Sequence, residues 1–132
     1  MGQFRVLIVD DHELVRRGLK DMLRDTNFAV CGEAENGQQG VEKTLDLKPD
    51  LVLLDMTMPV MTGLQAAARI RSLSPDTKIL IITMHDSQQM EIEARAAGAD
   101  AYITKMAAAK SLLDAMRALV RPVSGERQSV SR

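Results

Sequence analysis

Apolar and polar residues follow two different periods along this chain. Continuous apolar runs occupy 6–9, 51–54 and 79–82, and a shorter run occupies 101–103. Between these runs, apolar residues recur every three or four positions, a spacing typical of amphipathic helices. A short, continuous apolar run indicates a strand buried on both faces, as in a parallel sheet covered by helices. The pattern therefore predicts strands alternating with helices.

A further strand and five helical stretches complete the predicted order. Phe28 to Gly32 reads as the second strand. Helical periods are predicted at Leu14 to Leu23, Val41 to Leu47, Leu64 to Leu73, Asp86 to Gly98 and Leu112 to Val120. Five successive strand-helix units favour an α/β fold with a five-stranded parallel sheet and helices on both faces. Ala107 to Ala109 offer no good N-cap, so the last helix is expected to fray or to begin late.

Composition indicates one ordinary globular domain. The chain has 132 residues, 45% of them hydrophobic and 27% charged. Residues 1–120 are expected to form the domain, and residues 121–132, with Pro122, Gly125 and several serines, a tail or the start of a linker. A net charge of −1 does not mark this chain as a nucleic-acid binder. Cys31 is the only cysteine, which excludes an internal disulfide, and we expect a soluble, cytoplasmic protein with no membrane partner.

Each of the four apolar runs stops at a residue suited to metal or phosphate chemistry. Asp10 and Asp11 follow the first run, Asp55 the second, Thr83 the third, and Lys105 comes shortly after the fourth. Because the carboxyl ends of parallel strands lie along one edge of a sheet, these side chains are expected to meet there. Open α/β sheets bind their ligands at this edge. Carboxylates about 4 Å apart repel by roughly 4 kcal/mol at an effective dielectric near 20. Clustered acids without histidine or cysteine suit a hard cation such as Mg²⁺.

A simpler interpretation is that Asp10 and Asp11 cap the first helix and that Asp55 is only a turn residue. The joint placement of the acids with Thr83 and Lys105 argues against coincidence.

These residues resemble the receiver domain of bacterial two-component response regulators. The resemblance also includes Met58-Pro59 and Gly63 after Asp55, and Tyr102 before Lys105, and it covers roughly residues 4 to 120. It implies a flavodoxin-like receiver fold with strand order 2-1-3-4-5. It also implies a phosphoacceptor switch rather than an enzyme, activated by a sensor histidine kinase, with only self-phosphorylation and self-dephosphorylation chemistry.

The resemblance assigns a role to each matching position. Asp55 would accept the phosphoryl group. Mg²⁺ would be ligated by Asp11, Asp55 and the backbone carbonyl of Thr57, and by Asp10 through water. Lys105 would pair with the phosphoryl oxygens.

The same resemblance places a conformational switch at two further positions. Thr83 would move toward the phosphoryl group, and Tyr102 would turn inward with it. Thr57 and His85 are candidates for setting the lifetime of the phosphoryl group. In many receivers the lysine is followed by a proline in a cis peptide, whereas Met106 follows Lys105 here.

The output of such a switch is open to two interpretations. The stretches 83–86 and 97–102 are most similar to regulators with a helix-turn-helix output domain, so DNA would be bound only by a domain outside this chain. A stand-alone receiver acting through protein binding is the alternative, and dimerisation through the first and last helices is expected by analogy. A Mg²⁺-dependent phosphohydrolase with Asp55 as nucleophile is disfavoured, because Thr57 stands where a second acid is needed.

Overall fold

A computed structural model describes residues 3–58, 60–84 and 86–120, in which strands and helices alternate. The strands are β1 (Phe4–Val9), β2 (Phe28–Ala34), β3 (Leu51–Asp55), β4 (Lys78–Thr83) and β5 (Ala101–Thr104). The helices are α1 (Glu13–Leu23), α2 (Gly37–Leu47), α3 (Gly63–Leu73), α4 (Gln88–Ala96) and α5 (Lys105–Val120). Within the described ranges, no helix is both long enough and apolar enough to cross a lipid bilayer.

The strands form one parallel sheet in the order β2-β1-β3-β4-β5. This confirms the predicted fold and strand order. The register aligns the carboxyl ends of neighbouring strands, since Asp55 pairs with Ile82 and Thr83 pairs with Thr104. Polar residues at these ends therefore share one edge of the sheet.

The apolar runs supply two cores, because successive residues of a strand point to opposite faces of the sheet. On one face, strand residues pack against α2, α3 and α4; this core includes Leu7, Val9, Val52, Leu54, Ile79, Ile81, Val41, Ala66, Ile70 and Ala94. On the other face they pack against α1 and α5; this core includes Val6, Ile8, Leu51, Leu53, Leu80, Ile82, Leu19, Leu23, Leu112 and Met116. Fully burying one large aliphatic side chain stabilises the fold by roughly 1.5–3 kcal/mol.

Helix α5 begins earlier than the sequence predicted. It starts at Lys105, directly after β5, and the hydroxyl of Thr104 accepts a hydrogen bond from the backbone N–H of Ala107 at 3.0 Å. The last residue of β5 thus satisfies one of the unpaired amides of the first turn, which the alanines themselves cannot do. The described peptide bonds are all trans, including that between Lys105 and Met106.

Val60, in the loop between β3 and α3, has a backbone conformation that its side chain disfavours. Its φ is +71°, and the residue is 81% exposed. A β-branched residue in the left-handed region is an outlier, whereas asparagine is enriched there. The left-handed region costs an ordinary residue about 1–2 kcal/mol.

We therefore expect Val60→Asn to raise the free energy of unfolding by about 1 kcal/mol, since it relieves this strain and removes little buried surface. Val60→Thr is the matched control, because it adds polarity but keeps the β-branch. Urea unfolding followed by circular dichroism would measure both. Equal stability of the two variants would contradict the strain argument.

Candidate functional site

Acidic and basic side chains meet at the carboxyl edge of the sheet. The ammonium of Lys105 lies 3.1 Å from Oδ2 of Asp10 and 3.5 Å from Oδ1 of Asp55. Asp10 directly follows β1, Asp55 ends β3, and Lys105 follows β5. The side chains of Asp10 and Asp55 are only 3% and 6% exposed, and that of Lys105 is 17% exposed. Residues far apart in the sequence thus form one buried charged cluster.

The surroundings of Asp55 make its carboxylate costly to ionise. Burial raises the pKa of Asp55, and the nearby charge of Asp10 raises it further; the ammonium of Lys105 opposes both effects. The result is a pKa of about 6, against an ordinary value of 3.8. Such a raised pKa in a partly enclosed charged cluster is typical of a functional site.

Asp11 and His12 extend this cluster toward solvent. The backbone N–H of His12 donates a hydrogen bond to Oδ1 of Asp10 at 2.8 Å. The side chain of Asp11 is 27% exposed, yet its Oδ1 atom is buried and has no hydrogen-bond partner among the described residues. A buried carboxylate oxygen without a donor costs free energy unless a cation approaches it.

The donor set at this edge fits a hard divalent cation. The carboxylates of Asp10, Asp11 and Asp55 are oxygen ligands that Mg²⁺ prefers, and Oδ1 of Asp11, which accepts no hydrogen bond from the described residues, offers a coordination position. A cation here would also relieve the repulsion between the acids, which Lys105 alone offsets only in part.

A second charged network, formed by two basic residues of α1 and Glu33 of β2, contacts the backbone of Asp10. The guanidinium of Arg16 donates to the backbone carbonyl of Asp10 at 2.7 Å and to Glu33 at 2.9 Å. Lys20 also contacts Glu33, at 2.7 Å, and these hydrogen bonds, that of Lys20 first, lower the pKa of Glu33 below its usual value. Sequence reasoning missed this network, because nothing in the local pattern links α1 to β2.

The loop after β3 brings the backbone of Gly63 close to that of Asp55 and Met56. Gly63 donates its N–H to the carbonyl of Met56 at 2.8 Å, and a Cβ at Gly63 would collide with the carbonyl oxygen of Asp55. Only glycine allows this close approach. The Thr57 side chain is exposed, whereas Met56 and Met58 are buried in the core that packs on α2, α3 and α4.

The two predicted switch residues lie on neighbouring strands. Thr83 is buried at the end of β4. Tyr102 in β5 is partly buried against the core that packs on α2, α3 and α4. Tyr102 pairs with Ile81 in the strand register, two residues before Thr83. His85, the other predicted lifetime residue, lies outside the described residues.

Known proteins share this fold and sequence pattern. The family profile of the response regulator receiver domain matches residues 6–117. Chemotaxis protein CheY of Thermotoga maritima is 46% identical over 105 residues, which are 80% of this chain and 87% of that protein. Transcriptional regulatory protein YdfI of Bacillus subtilis is 41% identical over 119 residues, which are 89% of this chain and 55% of that protein.

A solved structure agrees with these matches. A two-component response regulator of the LuxR family from Aurantimonas sp. SI85-9A1 superimposes with a TM-score of 0.85 at 33% identity, covering 89% of this chain and 85% of that chain. The chain therefore belongs to the response regulator receiver domain family, and it is a receiver domain of a two-component response regulator. It spans about half the length of YdfI and most of the length of the Thermotoga CheY.

Proposed function

We propose that this receiver domain accepts a phosphoryl group on Asp55 from a phosphohistidine of a sensor histidine kinase. One observation carries the proposal: Lys105 lies between the buried carboxylates of Asp10 and Asp55 at the carboxyl edge of the sheet. That arrangement provides a nucleophile beside a positive charge that can pair with phosphoryl oxygens. The domain acts as a switch, and its chemistry is limited to its own phosphorylation and dephosphorylation.

In the proposed transfer, an oxygen of Asp55 attacks the phosphorus atom of the phosphohistidine. The new O–P bond forms as the P–N bond breaks, and the electron pair of that bond returns to the imidazole nitrogen. Lys105 exchanges its contact with Asp55 for one with a phosphoryl oxygen. The hydroxyl of Thr83 donates a hydrogen bond to a second phosphoryl oxygen, since it lies buried at the end of the adjacent strand.

The proposed metal ligands are the side chains of Asp11 and Asp55, the backbone carbonyl of Thr57, and Asp10 through a water molecule. When bound, Mg²⁺ supplies positive charge that offsets the carboxylates and the phosphoryl oxygens. Asp10 contributes by its negative charge and by holding Lys105 and the backbone N–H of His12 in place.

The proposed switch couples Thr83 to Tyr102. A phosphoryl group adds about −1.5 to −2 charges and several acceptor oxygens, which is enough to draw a hydroxyl toward it. When Thr83 moves, space opens beside β5 and Tyr102 turns inward, which changes the surface formed by α4, β5 and α5. Thr57 and His85 are proposed to set the lifetime of the phosphoryl group through water access.

The proposed output is transcriptional, with DNA bound by a further domain of the native protein. The similarity to YdfI, which is named a transcriptional regulatory protein, and to a LuxR-family regulator supports it. The 46% identity to a CheY supports the second candidate, a stand-alone receiver that binds other proteins. The mass of the protein isolated from its natural host would separate the two outputs, because a regulator with an additional output domain is heavier than a stand-alone receiver.

We further propose that the protein is cytoplasmic and that it forms a homodimer through α1 and α5.

We expect a small phosphodonor such as acetyl phosphate to add one phosphoryl group per chain in the presence of Mg²⁺. A chelator should abolish the reaction, because the acids then lack the cation that holds the phosphoryl oxygens near them. Intact mass spectrometry would count the groups, and fragmentation would locate them. Labelling that persists without divalent cations, or that lies away from Asp55, would overturn the proposal.

A further inference from the structure

His12 approaches the acidic pair with its side chain as well as with its backbone. Its Nδ1 atom lies 3.0 Å from Oδ1 of Asp11 and 3.4 Å from Oδ1 of Asp10. The imidazole is 66% exposed, so the core does not hold it in this position. The proposed phosphotransfer gives this side chain no role.

The short distance between His12 and Asp11 is not explained by a hydrogen bond. Oδ1 of Asp11 is buried and has no hydrogen-bond partner among the described residues, although Nδ1 of His12 lies within 3.0 Å of it. The two atoms are close enough for an ion pair between the imidazole and the carboxylate. The same separation also suits a nitrogen and an oxygen that occupy adjacent positions around one shared cation.

The spacing of the atoms agrees with that arrangement. Ligand atoms about 2.1 Å from a metal ion, on adjacent coordination positions, lie roughly 3 Å from each other. Asp10, Asp11 and His12 each offer one ligand atom, and these three atoms all lie within 4.8 Å of one another. One ion can therefore contact the imidazole nitrogen and a carboxylate oxygen together.

We propose that His12 supplies a nitrogen ligand to the cation held by Asp11 and determines the metal selectivity of the site. This inference rests on the proposed function, which places a divalent cation at these acids. Imidazole favours first-row transition metal ions such as Ni²⁺ and Zn²⁺, whereas Mg²⁺ is bound by oxygen ligands. His12 thus raises the affinity for transition metal ions and leaves the affinity for Mg²⁺ nearly unchanged.

Isothermal titration calorimetry with NiCl₂ and, separately, with MgCl₂ tests the inference on the whole chain. His12→Asn keeps a short polar side chain, and His12→Phe keeps a planar ring; both remove the imidazole nitrogen. We expect each variant to bind Ni²⁺ at least about tenfold more weakly than the wild type. The Kd for Mg²⁺ should change by less than about threefold, because its oxygen ligands remain. Circular dichroism would verify that both variants are folded.

The ratio of the Ni²⁺ affinity to the Mg²⁺ affinity in each variant shows whether His12 is a metal ligand or only a structural residue. Loss of Ni²⁺ and Mg²⁺ binding in equal proportion, or unchanged Ni²⁺ binding in both variants, would overturn the role of His12 while leaving the magnesium site in place. A wild-type chain that binds neither ion, or an Asp11→Asn variant that binds both as the wild type does, would overturn the proposed metal site and this inference with it.

Discussion

An Asp55→Asn variant is expected to accept no phosphoryl group and yet to be more stable than the wild type at pH 7. Asparagine lacks the carboxylate that we propose as the phosphoryl acceptor, so labelling by a small phosphodonor should be lost. The same replacement removes a buried negative charge that lies close to Asp10. We expect the free energy of unfolding to rise by up to about 3 kcal/mol, the value that corresponds to the rise of the Asp55 pKa from 3.8 to about 6.

The pH dependence of this gain has a definite sign. Burial and the charge of Asp10 raise the pKa of Asp55 from 3.8 to about 6 in the folded protein. The folded state therefore binds the proton more tightly than the unfolded state does, and ionisation of Asp55 destabilises the fold. That penalty is fully present above pH 6, declines as the pH falls, and is absent below about pH 4. The stability advantage of Asp55→Asn should disappear over the same range.

Urea unfolding at several pH values would measure the stability, and intact mass spectrometry would measure the labelling. Asp76→Asn is the matched control, because Asp76 is an exposed acid in the turn before β4. It should label as the wild type does, with stability changed by less than about 0.5 kcal/mol. A labelled Asp55→Asn variant would rule out Asp55 as the acceptor. A gain no larger than that of Asp76→Asn at pH 7 would contradict the electrostatic argument.

Replacing Arg71 with alanine is expected to cost about 2–4 kcal/mol of stability. The guanidinium lies 2.5 Å from Oδ2 of Asp100 and donates to the backbone carbonyls of Gly98, Pro75 and Thr77 at 2.7 to 3.1 Å. It thus joins the end of α3 to the segments that enter β4 and β5. Removing it leaves partly buried acceptors and a carboxylate without their donor, which is costlier than the loss of an exposed ion pair.

Arg69→Ala is the matched control for this prediction, since Arg69 is exposed on the same helix and its loss changes the net charge equally. It should cost less than about 0.5 kcal/mol. Arg71→Lys should recover only part of the stability, because an ammonium cannot reproduce the planar fork of donors. Thermal unfolding at one pH would compare all three. Equal losses for Arg69→Ala and Arg71→Ala would show that the network contributes nothing.

The strands in the middle of the sheet could be predicted from sequence because helices cover both faces. Their apolar runs are continuous, and β1, β3 and β4 have nearly the predicted bounds. The edge strand β2 was predicted only to Gly32 and extends to Ala34. Its middle residues are only partly buried, so the pattern there is weaker.

Helix α2 shows where local reasoning was insufficient. Its apolar period begins at Val41, but the helix begins at Gly37, capped by the side chain of Asn36, which accepts a hydrogen bond from Gln39 at 2.9 Å. Gly40 is poor in intrinsic helix propensity, yet a Cβ there would lie 2.9 Å from Cγ1 of Val9. The close packing of the helix on the sheet therefore outweighs propensity.

The amino acid sequence by itself determined the order of elements, the parallel sheet and the polar residues at its carboxyl edge, because these depend on periods of two to four residues. Tertiary structure alone decided that Lys105 lies between Asp10 and Asp55, that Arg16 holds the backbone of Asp10, and that His12 turns toward Asp11. Such contacts depend on how separate elements approach one another and on how each side chain turns. Those distances are set by the packing of the whole core, which no local pattern encodes.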